Sequence, residues 1–102
     1  MRPSTITVTG DNDPYVIPLN YRADHTAVHA EVTGTINFTV SYTVQNIYDI
    51  TTPATNADWV AVTDMSAITA TATKKIDMSI NALKVVVNSG AGSVDITVSQ
   101  PS

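Results

Sequence analysis

Two histidines four residues apart, His25 and His29, are the first pair in this 102-residue chain whose types and spacing could do chemistry. On a helix that spacing would bring both imidazoles to one metal ion. Here Val28, Ala30 and Val32 alternate with His29 and Glu31, which is strand periodicity. Four strand residues hold the two rings about 13 Å apart, too far to share an ion. Asp11-Asn12-Asp13 offers the oxygen donors with which calcium loops begin, but the glycine and the distant bidentate glutamate are missing. Those side chains are expected to bond their own backbone in a turn before Pro14. Gly90-Ala91-Gly92-Ser93 lacks the lysine and the following helix of a phosphate loop, and reads as a turn. By spacing, Asp58 and Asp64 are able to converge as an acid/base pair. No serine, however, sits in a strand-to-helix elbow, and Glu31, the only glutamate, falls on the polar face of a strand. We expect no catalytic residue, no metal and no cofactor, and a protein that works by binding and assembling.

The aromatic residues offer a different chemistry. Trp59 with Tyr15, Tyr21, Tyr42 and Tyr48 could form a platform for stacking on sugars. Tyr42 lies in an alternating run and is expected in the core, and Trp59, followed by Val60 and Val62, reads as a core anchor. A carbohydrate-binding role therefore rests on Tyr48 and the segment after it. The stretch from Tyr48 to Asp58 is the longest without a regular pattern and is the natural exposed contact surface. Its candidate contact residues are Tyr48, Asp49, Pro53, Thr55, Asn56 and Asp58.

These residues need elements to hold them, and the sequence points to strands. Ile36, Phe38, Val40, Tyr42 and Val44 alternate with Asn37, Thr39, Ser41 and Thr43, which puts one apolar face on a single strand. With Val28 to Val32 it is expected to form a hairpin turning at Thr33-Gly34-Thr35. Leu83 to Val87 and Val94 to Val98 flank a glycine-containing turn and are expected to form a second hairpin. Weaker strands are Ile6 to Thr9, Tyr15 to Leu19 with Pro18 marking an edge, Trp59 to Thr63 and Ile68 to Thr73. Trp59, Val62 and Ser66 also keep a helical spacing, but Val60, Val62, Thr63 and Ile68 are β-branched and favour a strand.

About eight short strands separated by turns imply an all-β fold: one antiparallel β-sandwich domain over residues 1–102, jelly-roll-like or immunoglobulin-like, with residues 1–10 a possible N-terminal arm that adds a strand to a neighbour. Only 14% of residues are charged, and the net charge of -4 with five scattered basic residues argues against a nucleic-acid partner. There is no cysteine for a disulfide or thiolate site. No apolar stretch is long enough to cross a membrane as a helix, and a soluble product made in the cytoplasm is expected.

From Gly34 to Gln100 the chain resembles a group of small virion-associated proteins of tailed bacteriophages. The resemblance is carried by the alternating run Phe38 to Val44 continuing through Gln45-Asn46-Ile47-Tyr48-Asp49, by Asp58-Trp59, by Ile68 to Thr73, by Ile80 to Val87, and by Gly92 to Gln100. Where similar proteins carry Ala-Ile-Arg, this chain has Ala82-Leu83-Lys84, which keeps the charge and loses a bidentate donor. The resemblance implies a non-enzymatic capsid decoration or cement protein located in the virion. Its implied partners are the major capsid protein and copies of itself, in a trimer. The alternative is a tail- or fibre-associated module contacting carbohydrate or a receptor.

Overall fold

A computed structural model of the chain describes residues 4–9, 15–19 and 25–100. The turn Asp11-Asn12-Asp13, Tyr21 and the first three residues lie outside them. The eight strands are β1 (Ser4–Val8), β2 (Tyr15–Pro18), β3 (Thr26–Thr33), β4 (Ile36–Thr43), β5 (Val60–Ala61), β6 (Ala72–Ile76), β7 (Ala82–Gly90) and β8 (Ser93–Ser99). They form two four-stranded sheets, ordered β1-β8-β3-β6 and β2-β7-β4-β5, with every pairing antiparallel. Pairing 1 with 8, 2 with 7, 3 with 6 and 4 with 5 is jelly-roll order, so the fold is an eight-stranded jelly-roll sandwich.

The alternating residues do what their period dictates. In one sheet Val8, Val28, Ala30, Val94, Ile96 and Val98 are buried; in the other, Ile36, Phe38, Val40, Leu83, Val85 and Val87. Ile80 and Met65, from the connecting segments, are fully buried with them. The alternation stops one residue early: β4 ends at Thr43, and Val44, expected on the inner face, is 61% exposed. Among the described residues no strand pairs with β4 beyond Thr43, and the chain turns away.

Neither expected hairpin forms. β3 and β4 lie in different sheets, and so do β7 and β8. Each glycine turn carries the chain from one sheet to the other. Because β3 pairs with β8 while β4 pairs with β7, the two arches run side by side. Three residue steps, Thr33 to Ile36, reach at most about 10 Å, roughly the gap between packed sheets, so the arches draw the sheets together here. They touch through backbone: Gly92 N donates to Thr35 O at 2.8 Å, and a Cβ on Gly90 would lie 2.4 Å from that same carbonyl oxygen. Just before the turn Asn88 bulges out of the β4–β7 ladder, and its amide donates to Asn37 Oδ1 and Thr39 Oγ1 at 2.9 and 3.1 Å.

The other expectations shift rather than fail. The strand read over Trp59 to Thr63 shrinks to Val60–Ala61, and the one read over Ile68 to Thr73 lies at Ala72–Ile76. Between them Val62, Met65 and Ile68 bond the backbone of Val40 and Phe38 without regular pairing, which defeats any period. The expected arm supplies Ser4–Val8 as β1, paired with β8 of its own sheet.

The glycine contact sets a stability prediction. Gly90 has a φ of +102° and no space for a Cβ, whereas a Cβ on Gly34, at φ +77°, would meet only Gly92 Cα at 3.3 Å. Gly90→Ala is expected to cost roughly 3 kcal/mol and Gly34→Ala about 1 kcal/mol. Urea unfolding followed by circular dichroism checks the order, and equal losses would contradict the packing of the arches.

Candidate functional site

The segment between β4 and β5 is short of regular structure but not of order. Asn46 opens a 3-10 turn, Ile47–Asp49, with its side-chain oxygen accepting from Tyr48 N at 3.1 Å and its amide donating to Asp49 Oδ2 at 3.1 Å. Thr52 takes a left-handed φ of 51°, which is costly for a β-branched residue and needs surroundings that enforce it. Its carbonyl receives the amides of Thr55 and Asn56 at 3.1 and 3.0 Å, starting the single helical turn α1 (Pro53–Asn56). Asn56 closes the loop by donating its amide to Thr51 O at 2.5 Å.

Contacts from Lys84, Trp59 and Gln45 hold this loop against the outer face of the β2-β7-β4-β5 sheet. Lys84 lies between the inward-facing Leu83 and Val85, so it points outward. Its ammonium stands 5.1 Å from the Trp59 ring centroid and donates to Ala54 O at 3.2 Å. The Trp59 indole N–H donates to Pro53 O at 2.8 Å. Gln45 and Asp58 bond reciprocally: Asp58 N donates to Gln45 Oε1 at 2.6 Å, and Gln45 Nε2 donates to Asp58 Oδ2 at 3.2 Å. Trp59 is therefore not the core anchor its apolar neighbours suggested. It is half-buried on the outer face, where its N–H finds a carbonyl that the apolar interior would not supply.

All six candidate contact residues reach the surface. Tyr48, Asp49, Thr55, Asn56 and Asp58 are exposed and Pro53 half-buried. Tyr48, at 81% exposure, is the most exposed of the large hydrophobic side chains among the described residues. It lines a cleft of about 400 Å³ with Leu19, Asn46, Ile47 and Asn81. The base of this cleft is stitched by backbone bonds from Leu19 N to Asn81 O and from Asn81 N to Thr43 O, at 2.9 and 2.8 Å, and the Asn81 amide donates to Val44 O at 2.9 Å. Leu19 and Asn81 were missed in the sequence because nothing local links them to Tyr48; the β2–β7 and β4–β7 pairings together bring them there.

The residues weighed for catalysis do not gather. Asp58 is held by Gln45, while Asp64 pairs with Lys74 Nζ, on β6 of the other sheet, at 2.8 Å. His29 lies outward on β3 with Nδ1 2.6 Å from Thr73 Oγ1. Among the described residues no three His, Cys, Asp or Glu side chains lie close enough to hold a metal ion.

The jelly roll is a fold shared by unrelated functions, and comparison with known proteins reaches no further than the fold. No family model and no curated protein matches the chain. Among solved structures, one from a study of Bacillus endospore appendages, described as a family of disulfide-linked pili, matches with a TM-score of 0.54 and 17% identity over 95% of this chain and 82% of the other. The Drosophila NLP core, described in terms of pentamer formation and histone binding, matches with a TM-score of 0.54 and 10% identity over the whole of both chains. The disulfide linkage of the first has no counterpart here, since this chain has no cysteine.

The clamp on the loop makes a measurable prediction. In a double-mutant cycle of Trp59→Leu and Lys84→Met, the coupling energy is expected to be about 0.5 to 1 kcal/mol, the range for a partly exposed cation–π pair. Denaturant unfolding of the four proteins gives the value, and additive losses would mean that ring and ammonium do not interact.

Proposed function

We propose that the chain is a non-enzymatic structural subunit of a tailed-phage virion, of the capsid decoration or cement type, acting through contacts with the major capsid protein and with copies of itself. The observation that carries this reading is the preordered loop. From Tyr48 to Asp58 the backbone is bonded to itself and clamped to the sheet, while the side chains of Tyr48, Asp49, Thr55 and Asn56 face solvent. A surface already fixed in shape binds without a large ordering cost. The low share of charged residues also limits repulsion between crowded copies. Two proteins of like fold are described as a pilus and a pentamer, which supports self-assembly as a use of this architecture.

Quantitative mass spectrometry of purified virions tests the reading. The expected result is a copy number in fixed ratio to the major capsid protein. A handful of copies per particle would overturn decoration in favour of a tail or fibre position.

A second reading is favoured by the cleft: Tyr48 beside the amides of Asn46 and Asn81 suits a tail-associated module that stacks on and hydrogen-bonds a sugar. Because Tyr48 is so exposed, Tyr48→Ala is expected to change stability by less than about 0.5 kcal/mol. If glycans bind, as scored on a glycan array, the same variant loses that binding; unchanged binding would exclude the cleft.

A further inference from the structure

A sandwich has four edge strands, and each is an open row of amides and carbonyls able to pair with another chain. Three of the four are blocked. β5 is two residues long, and the irregular segment after it occupies the rest of that side of β4. β2 is four residues long and includes Pro18, which has no N–H to donate. β6 carries Lys74 and Lys75. Lys74 stands on the inner-face register beside Val28, and its ammonium reaches across the sandwich to Asp64, an inward-pointing charge of the kind that keeps edges from pairing.

The fourth edge, β1, has none of these features. It reads Ser-Thr-Ile-Thr-Val, five residues without charge, proline or bulge, and among the described residues it pairs on one side only, to β8. The run Thr5-Ile6-Thr7 is also symmetric about Ile6. An antiparallel copy related by a two-fold axis that passes midway between the two Ile6 residues, perpendicular to the sheet, would set Thr5 opposite Thr7 of the second copy, Thr7 opposite its Thr5, and Ile6 opposite its own counterpart. Antiparallel partners share a face. The threonines would meet on the polar outer face, where Thr5 already bonds Thr97 and Thr7 donates to Asp95, and the isoleucines on the side that packs against the core.

We propose that the partner of β1 is a second copy of this chain, pairing β1 with β1 about Ile6 to make one continuous eight-stranded sheet. Pairing with any other edge of the copy would meet a proline, lysines or a two-residue strand, so the self-paired, closed arrangement is the one left open. Five residues bury little area, and the free protein associates weakly; many copies held on one particle would strengthen the contact by proximity. A two-fold pair of the isolated protein departs from the trimer that the resemblance implies, and is independent of where the subunit docks.

Sedimentation equilibrium across a wide concentration range tests it with three proteins. Wild type is expected to follow a monomer–dimer equilibrium. Thr5→Lys with Thr7→Lys sets lysine against lysine at both cross-copy positions and should weaken dimerisation about tenfold or more. Thr5→Glu with Thr7→Lys sets glutamate against lysine in that register and should restore it to the wild-type level or above. Thermal melts confirm that both variants fold. If either does not, amide hydrogen exchange of wild-type β1 replaces the comparison, with protection expected to rise with concentration. A monomer at all concentrations, a trimer, equal effects of the two double variants, or exchange independent of concentration would each overturn the proposal.

Discussion

The close approach of two backbone arches at Thr33–Ile36 and Gly90–Ser93 is the constraint on which the rest of this jelly roll depends. Each arch moves the chain between sheets in two residues, and the bond from Gly92 N to Thr35 O holds one against the other. Once they are locked, β3 must lie beside β8 in one sheet and β4 beside β7 in the other. Those four long strands supply most of the buried side chains, among them Phe38, Leu83, Ile96 and Val28. The short strands β1, β2, β5 and β6 then have only the outer positions left to occupy. Edge chemistry is thus a consequence of central topology: proline, lysine and brevity appear at positions that the arches had already assigned to the rim.

The same ordering explains how the candidate loop is built. Lys84 occupies an outward position on a central strand, where the sheet fixes its backbone on both sides. A cation on so rigid a base can serve as a post: the indole of Trp59 and the carbonyl of Ala54 gather on it, and Gln45, just past the end of β4, secures Asp58 at the far end. Each bond is worth little alone, of the order of 1 kcal/mol. Together they hold Thr52 in a backbone conformation it would not adopt unaided. Order in this loop is borrowed from the sheet beneath it, and the exposed face of Tyr48 and Thr55 is correspondingly fixed in place.

Much of this fold could be read from the residues, and what could not has a definite physical reason. Period-two alternation marked β3, β4, β7 and β8 because each has one dry face, and it placed Phe38, Val40 and Tyr42 toward the core. The same alternation cannot distinguish a hairpin from an arch. In both, apolar residues line one face of each strand, and glycines punctuate the connection; only the long-range ladders β3–β8 and β4–β7 decide between them. The strands read over Trp59 to Thr63 and Ile68 to Thr73 lie at Val60–Ala61 and Ala72–Ile76 instead, because the backbone from Val62 to Ile68 bonds to β4 irregularly and leaves no repeat to detect. Trp59 was misplaced for a related reason: its neighbours Val60 and Val62 look like core, but its own position is decided by Lys84, twenty-five residues away.

The surface loop was located by its lack of pattern, and its exposed residues by their polarity, but the cleft was not legible at all. Leu19 and Asn81 meet Tyr48 because β7 pairs with β2 at Ile17 and Leu83 and with β4 at Thr43 and Ala82, bringing the residues beyond all three strands to the foot of the 3-10 turn. A contact surface of this kind is written in the register of a sheet rather than in any run of residues. Sequence periodicity can thus name the strands and the exposed loop of a jelly roll, while the groove between them waits on knowing which strands are neighbours.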